Sequence, residues 1–222
     1  MKKNLTIVIS AGPTQEPIDP VRFISNHSTG RVGYEVAKEA LKRRHKVILI
    51  SGPTRLLPPK GARVVHVTTA LQMKEALERF FGEADCFIMA AAVSDYRPQR
   101  AAKQKIKKAK KTLTLRLVKN PDILSGLALQ KRRKLLVGFC LETQDLLARA
   151  LTKLKKKNLD IIVANRFSKT NDPFGNSKAD FLLIDRNRRV ITMRRASKKN
   201  LAKRLIDNIE VLTNCALTKD KV

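Results

Sequence analysis

The chain contains no tryptophan, two tyrosines and eight phenylalanines in 222 residues. A single-stranded nucleic-acid surface needs aromatic faces for base stacking, interleaved with cations, and that supply is thin here. Cysteine is scarce as well: Cys86, Cys140 and Cys215 show no paired spacing, which argues against a zinc ribbon or a disulfide framework. The three histidines, His27, His45 and His66, have no metal-ligand spacing. Long apolar runs are missing too. The longest clean one, Cys86 to Val93, falls far short of the roughly 20 residues that span a bilayer. Met1-Lys2-Lys3-Asn4 leads straight into apolar sequence without a signal-peptide pattern, so a cytoplasmic protein with no membrane segment is expected. Acid is the remaining shortage. Nineteen Asp and Glu face 47 Lys and Arg, a formal net charge of +28. That balance suits nucleic acid, a triphosphate or a phosphorylated acid, and equally suits plain solvated faces rich in lysine.

What remains is 43% apolar, enough for one substantial core. Short apolar runs alternate with helical patterns. Leu5–Ile9, Lys46–Gly52, Ala62–Val67, Cys86–Val93, Leu113–Val118, Lys134–Leu141 and Leu159–Ala164 read as strands. Helices are expected from Gly30, from Ala70 to about Phe80 behind a Thr69 cap, over Pro121–Gln130, from Thr143 to about Lys157, and after a Ser197 cap. Asp180–Asp185 and Val190–Met193 flank a polar turn and predict an antiparallel hairpin. The class is therefore α/β: a Rossmann-like, doubly wound, mainly parallel sheet with a C-terminal antiparallel hairpin extension. One domain covers 1–215, with a charged tail at 216–222.

Two segments interrupt the alternation. Ser10 to Gly30 is a connection of roughly 20 residues where a handful would do, which marks a working loop. It ends in Ser28-Thr29-Gly30 at a helix N-terminus, a natural anion site. From Arg97 through Arg116, both included, stand nine Lys or Arg and no acid, and residues 99–111 are expected to form a mobile, phosphate-gripping flap. A dinucleotide fingerprint needs several glycines after the first strand, whereas only Gly12 precedes Gly30; no Walker lysine motif exists.

The wording of the long loop, Gly12-Pro13-Thr14-Gln15-Glu16-Pro17-Ile18-Asp19-Pro20-Val21-Arg22 and Ile24-Ser25-Asn26-His27-Ser28-Thr29-Gly30, closely resembles the opening of the phosphopantothenoylcysteine synthetases of coenzyme A biosynthesis. The resemblance continues in order through Ala90-Ala91-Ala92-Val93-Ser94-Asp95-Tyr96-Arg97-Pro98, Lys105-Ile106-Lys107-Lys108, Leu117 to Ile123, Val137-Gly138-Phe139 and Lys157 to Asn165. It spans about Leu5 to Ile209. Cys140-Leu141 replaces a usual pair of alanines, and Thr29 a usual serine.

This resemblance implies a ligase that joins 4'-phosphopantothenate to L-cysteine through an acyl-cytidylate, with CTP as co-substrate and Mg²⁺ or another divalent cation. By the same resemblance Asn26 is the catalytic donor to the developing oxyanion, and Lys105 promotes cytidylate formation at the phosphates. Arg22, near the substrate across a dimer interface, and Ala91 bind substrate. Asp95, Lys105, Asn120, Pro121, Asp122, Ile123, Phe139, Lys153 and Lys157 bind the nucleotide, and Asp95 the metal. A homodimer is implied, no flavin is expected, and the pathway's decarboxylase is expected on a separate chain. The alternative is a basic Rossmann-like nucleic-acid-binding protein without catalysis.

Overall fold

The computed structural model describes residues 4–108, 111–168, 174 and 178–219. Its centre is an eight-stranded sheet. In chain order the strands of that sheet are β1 (Thr6–Ala11), β4 (Lys46–Ser51), β5 (Arg63–His66), β6 (Cys86–Met89), β9 (Leu135–Glu142), β10 (Ile161–Arg166), β11 (Ala179–Asp185) and β12 (Val190–Ala196). Their spatial order is β12-β11-β10-β9-β6-β1-β4-β5. From β5 to β10 every pairing is parallel, while β11 and β12 pair antiparallel at one edge. The Rossmann-like, doubly wound reading with a terminal hairpin is therefore borne out.

Strand periodicity divides the core between two faces. Ile7 and Ile9 point one way, against Tyr34, Val36 and Ala37 of α1 (Arg31–Lys42) and Leu201, Leu205 and Ile209 of α5 (Lys198–Lys219). Val8 points the other way, into a layer with Met73 and Leu77 of α2 (Ala70–Arg79), Leu127 of α3 (Ile123–Gln130) and Leu154 of α4 (Leu146–Lys156). Because both faces are covered, the central strands read as continuous apolar runs. Arg43 ties α5 to α1, reaching Glu39, Asp207 and Glu210 together. Among the described residues no helix is long and apolar enough to cross a membrane.

Several elements depart from the sequence reading, each for a local reason. The long loop contains a hairpin, β2 (Gln15–Pro17) with β3 (Phe23–Ser25), closed by Ile18 N–H donating to the Arg22 carbonyl. The strand expected to run to Val93 stops at Met89, and the following residues cross to the loop after β1, where Ala92 N–H donates to the Gly12 carbonyl. The Leu113–Val118 strand contracts to β8 (Leu117–Lys119), because its partner β7 (Tyr96–Pro98) is only three residues long. Helix α4 starts at Leu146 rather than Thr143, since β9 continues to Glu142 and Asp145 must turn in the left-handed region, φ 49°. α5 continues to Lys219, past the boundary drawn at Cys215; residues 220–222 of the expected tail, and 109–110 of the flap, lie outside the described residues.

Candidate active site

In a parallel sheet the crossover connections leave a crevice where the strand order reverses, off the carboxyl ends of the strands. Here that point lies between β1 and β6. The chain turns there on Gly12 and Gly30, both at φ 78°. A side chain on Gly12 would come within 3.0 Å of the Gly52 carbonyl oxygen, and one on Gly33 within 2.6 Å of Ala11 Cβ. Gly12, Gly30 and Gly33 thus share the duties of a dinucleotide-type phosphate loop: a tight turn, an open helix N-terminus and close packing of α1 on β1. The sequence reading missed this because the β2–β3 hairpin separates the first glycine from the other two.

Buried polar side chains in that hairpin fix the neighbouring loops. Thr14 Oγ1 accepts from Ser94 N–H at 3.0 Å, locking the loop after β6. Glu16, 1% exposed, accepts from Ala70 N–H at 2.9 Å and places its carboxylate at the positive end of α2. Asp19 accepts from Val21 and Arg22 N–H, from the Arg22 guanidinium, and from Ile106 N–H at 3.1 Å. The Arg22 guanidinium and those three backbone N–H groups hold the Asp19 carboxyl far below the usual carboxylate range, against the opposing effect of its burial. The basic segment is therefore tethered at Ile106, and also at Ala102, whose N–H donates to the Ile18 carbonyl at 2.9 Å.

Two adjoining cavities open at the crevice. The first, about 250 Å³, is lined by Asp95, Asn120, Pro121, Asp122, Ile123, Phe139, Lys153 and Lys157, with Ala91, Ser94 and Lys119. Eight of the nine residues assigned to the nucleotide come together in this one hollow. Asn120 is buried, and its side chain is committed to protein: Nδ2 donates to the Ser94 carbonyl at 2.8 Å and Oδ1 accepts from Arg97 at 3.0 Å. It shapes the wall. Asp122 caps α3 through Ser125 N–H and pairs with Lys157. Desolvation raises its carboxyl pKa, but the Lys157 ammonium and Ser125 N–H outweigh that and leave it below the ordinary value. Lys153 donates to the Phe139 carbonyl at 2.8 Å.

The second cavity, about 470 Å³, shares Ala91, Val93, Asp95, Phe139 and Lys153 with the first. Asn26 stands in its wall, Nδ2 donating to the Ala92 carbonyl at 3.0 Å. Ser28, Thr29, Gly30 and Arg31 bring the N-terminus of α1 to it, and Lys198 brings that of α5. Lys198 is 6% exposed, a buried cation at a helix end that disfavours positive charge. The sequence reading did not single it out; the signal was a lysine directly after the Ser197 cap, legible only once α5 is seen to end at the crevice.

Lys105 and Arg22 line neither cavity. Lys105 is exposed on the tethered segment, and Arg22 is engaged with Asp19 and the Ile106 carbonyl. Cys140 lines the second cavity with its thiol pushed up to about 11 by burial, so it is protonated and inert at neutral pH. Among the described residues no group of three His, Cys, Asp or Glu side chains is placed to hold a metal ion.

The family model described as DNA/pantothenate metabolism flavoprotein C-terminal domain matches residues 2–212. The coenzyme A biosynthesis bifunctional protein CoaBC of Escherichia coli is 42% identical over 212 residues, covering 93% of this chain and 52% of that protein. Its counterpart in Vibrio cholerae is 45% identical over 174 residues, 77% of this chain and 44% of that one. The chain thus spans about half the length of the curated relatives it matches. The crystal structure of the C-terminal domain of a CoaBC protein superposes with a TM-score of 0.82 at 34% identity, covering 96% of this chain and 97% of that one. A chain from Streptococcus pneumoniae, 24% identical at a TM-score of 0.81, shares the fold. The chain belongs to the DNA/pantothenate metabolism flavoprotein C-terminal domain family.

Proposed function

We propose that this chain is a CTP-dependent ligase that condenses 4'-phosphopantothenate with L-cysteine, in the coenzyme A biosynthesis for which its bifunctional relatives are named. The observation that carries this reading is the pair of cavities with a common wall at Ala91, Val93, Asp95, Phe139 and Lys153. One carries Lys119, Lys153 and Lys157 in its lining, the cations that a nucleotide's phosphates require. The other presents cations and a helix N-terminus at one end and an amide donor, Asn26, toward the shared wall.

In the first step a carboxylate oxygen of the acid attacks the α-phosphorus of CTP, and pyrophosphate leaves with the bond's electron pair. Two anions must meet, so cations have to offset their repulsion. Lys119, Lys153 and Lys157 stand in the nucleotide cavity for this, and Lys105, which lines neither cavity, would join them from the exposed segment anchored at Ile106. In the second step the cysteine amine attacks the acyl carbonyl, Asn26 donates to the oxygen that gains charge, and CMP leaves. The phosphate of the acid takes the end of the second cavity formed by Gly30, Arg31 and Lys198.

One or two carboxylates with substrate phosphates suffice for Mg²⁺, and Asp95, in the lining of the nucleotide cavity, would supply one. A magnesium ion held there would supply charge neutralisation on the phosphate oxygens. A homodimer fits the apolar surface of the two small strand pairs: Val21, Phe23, Tyr96 and Leu117 are 59%, 51%, 53% and 43% exposed, and β2 packs against β7. Arg22 lies between the exposed Val21 and Phe23 in sequence, which supports a role for it near a neighbouring subunit's site.

The test is pyrophosphate release from CTP by the purified chain. It is expected only when 4'-phosphopantothenate is present, with amide formation on adding cysteine. Release independent of the acid, or none, would overturn the proposal.

A further inference from the structure

Ser94 lies in the wall of the nucleotide cavity and is 6% exposed. Its backbone is fully engaged. The N–H donates to Thr14 Oγ1 at 3.0 Å, and the carbonyl accepts from Asn120 Nδ2 at 2.8 Å. Its hydroxyl is shielded from solvent and meets no hydrogen-bonding partner among the described residues. Among the described residues one other buried side-chain atom falls outside hydrogen-bond geometry, His45 Nε2, and that one faces the Glu210 carboxylate at 3.3 Å. Ser94 Oγ is thus an isolated buried polar atom, and it sits against the cavity rather than in the core.

A buried hydroxyl with no partner weakens the fold in which it stands. The backbone bonds to Thr14 and Asn120 would be made by alanine equally well, so the hydroxyl contributes nothing to the loop it sits on. Rotation about χ1 moves Oγ between staggered positions without disturbing either backbone bond. A ligand with an oxygen acceptor in the cavity would therefore gain a donor that is already desolvated and held on a fixed backbone. We propose that Ser94 donates this hydroxyl to an oxygen of the bound nucleotide, on its ribose or its phosphate chain, making it a nucleotide-binding residue alongside the lysines. This assignment rests on the cavity being the CTP site.

The experiment compares the wild-type chain with Ser94→Ala by calorimetric titration with CTP and Mg²⁺, thermal unfolding without ligand, and steady-state kinetics. The expected result is CTP binding weakened roughly fivefold, the loss of one neutral hydrogen bond. The KM for 4'-phosphopantothenate should not change, and the ligand-free variant should melt at the same or a higher temperature. A structural serine would do the reverse, lowering the melting temperature while leaving CTP affinity in place, and that result overturns the assignment. So does equal CTP affinity in the two proteins. Titration with 2'-deoxy-CTP and with inorganic pyrophosphate separates the two sources of the oxygen. If the difference between the proteins disappears with the deoxynucleotide, the partner is the ribose; if it persists there and appears with pyrophosphate, the partner is a phosphate. Wild-type protein that binds no CTP would instead remove the functional reading itself, and this assignment with it.

Discussion

Arg22 donates to the Ile106 carbonyl at 2.9 Å, so a residue of the β2–β3 turn grips the basic segment one position beyond Lys105. The cation proposed to promote cytidylate formation is thereby tied to the hairpin that carries Asn26. If Arg22 acts by holding Lys105 in reach of the phosphates, Arg22→Ala should slow acid-dependent pyrophosphate release about tenfold, one charge-assisted hydrogen bond's worth. The double variant with Lys105→Ala should then be no slower than Lys105→Ala alone. Additive losses in rapid-quench measurements would instead put Arg22 on the substrate, across a subunit boundary.

Asp19 gives the same anchor a pH signature. Its folded pKa lies below the unfolded one, so the linked stability is present above the unfolded value, roughly 4, and is lost as pH falls through the folded pKa. Urea unfolding of wild type and Asp19→Asn should therefore differ by a constant amount from pH 5 to 8. The difference should shrink only in strong acid. A gap that instead opened between pH 6 and 8 would show that some other group controls the anchor.

Much of the fold was legible because local chemistry agrees with it. Thr69 caps α2 with a reciprocal bond from Gln72, and Ser197 caps α5 through Asn200 N–H, both as the residue pattern predicts. The grouping of Asp95, Asn120 to Ile123 and Phe139 was legible from their places on or after the strands of a parallel sheet, whereas Lys153 of α4 and its cap Lys157 were implied by the family resemblance alone. What stayed hidden depends on contacts far apart in sequence. Glu16 finds the α2 N-terminus 54 residues away, and nothing near it marks it as a buried helix partner. The β7–β8 pair is three residues long on each strand, too short to carry a period. Lys198 looked like one more lysine in a chain of 47 Lys and Arg, and only burial sets it apart.

Lys198 should discriminate between the two ends of the acid. Lys198→Met keeps most of the stem's bulk and removes the charge. If the phosphate sits at this end of the second cavity, its KM should rise at least tenfold, the scale of a charged hydrogen bond, while the KM for CTP stays put. Unphosphorylated pantothenate, used as a poor substrate, should show no difference between the variant and wild type. A rise in the KM for CTP alone would assign Lys198 to the nucleotide instead.

Asn26 separates the two half-reactions. It is exposed at the second cavity, with its amide on the Ala92 carbonyl, which also accepts from Thr14 N–H at 3.2 Å. A neutral amide does not offset the charges that oppose attack on CTP, so its contribution belongs to the later step, when the acyl oxygen gains charge. A positioned donor there is worth roughly 3 kcal/mol, about a hundredfold in rate. Asn26→Asp keeps the size and replaces the donor with an anion, which repels both the Ala92 carbonyl and the developing oxyanion. Because the side chain is exposed, folding should be little affected. The variant should still release pyrophosphate once per site and then stall, and the acyl-cytidylate should be recoverable by mass spectrometry after acid quench. Loss of pyrophosphate release with the fold intact would move Asn26 to binding of the acid or the nucleotide, and the oxyanion would then need another donor from the walls of the second cavity.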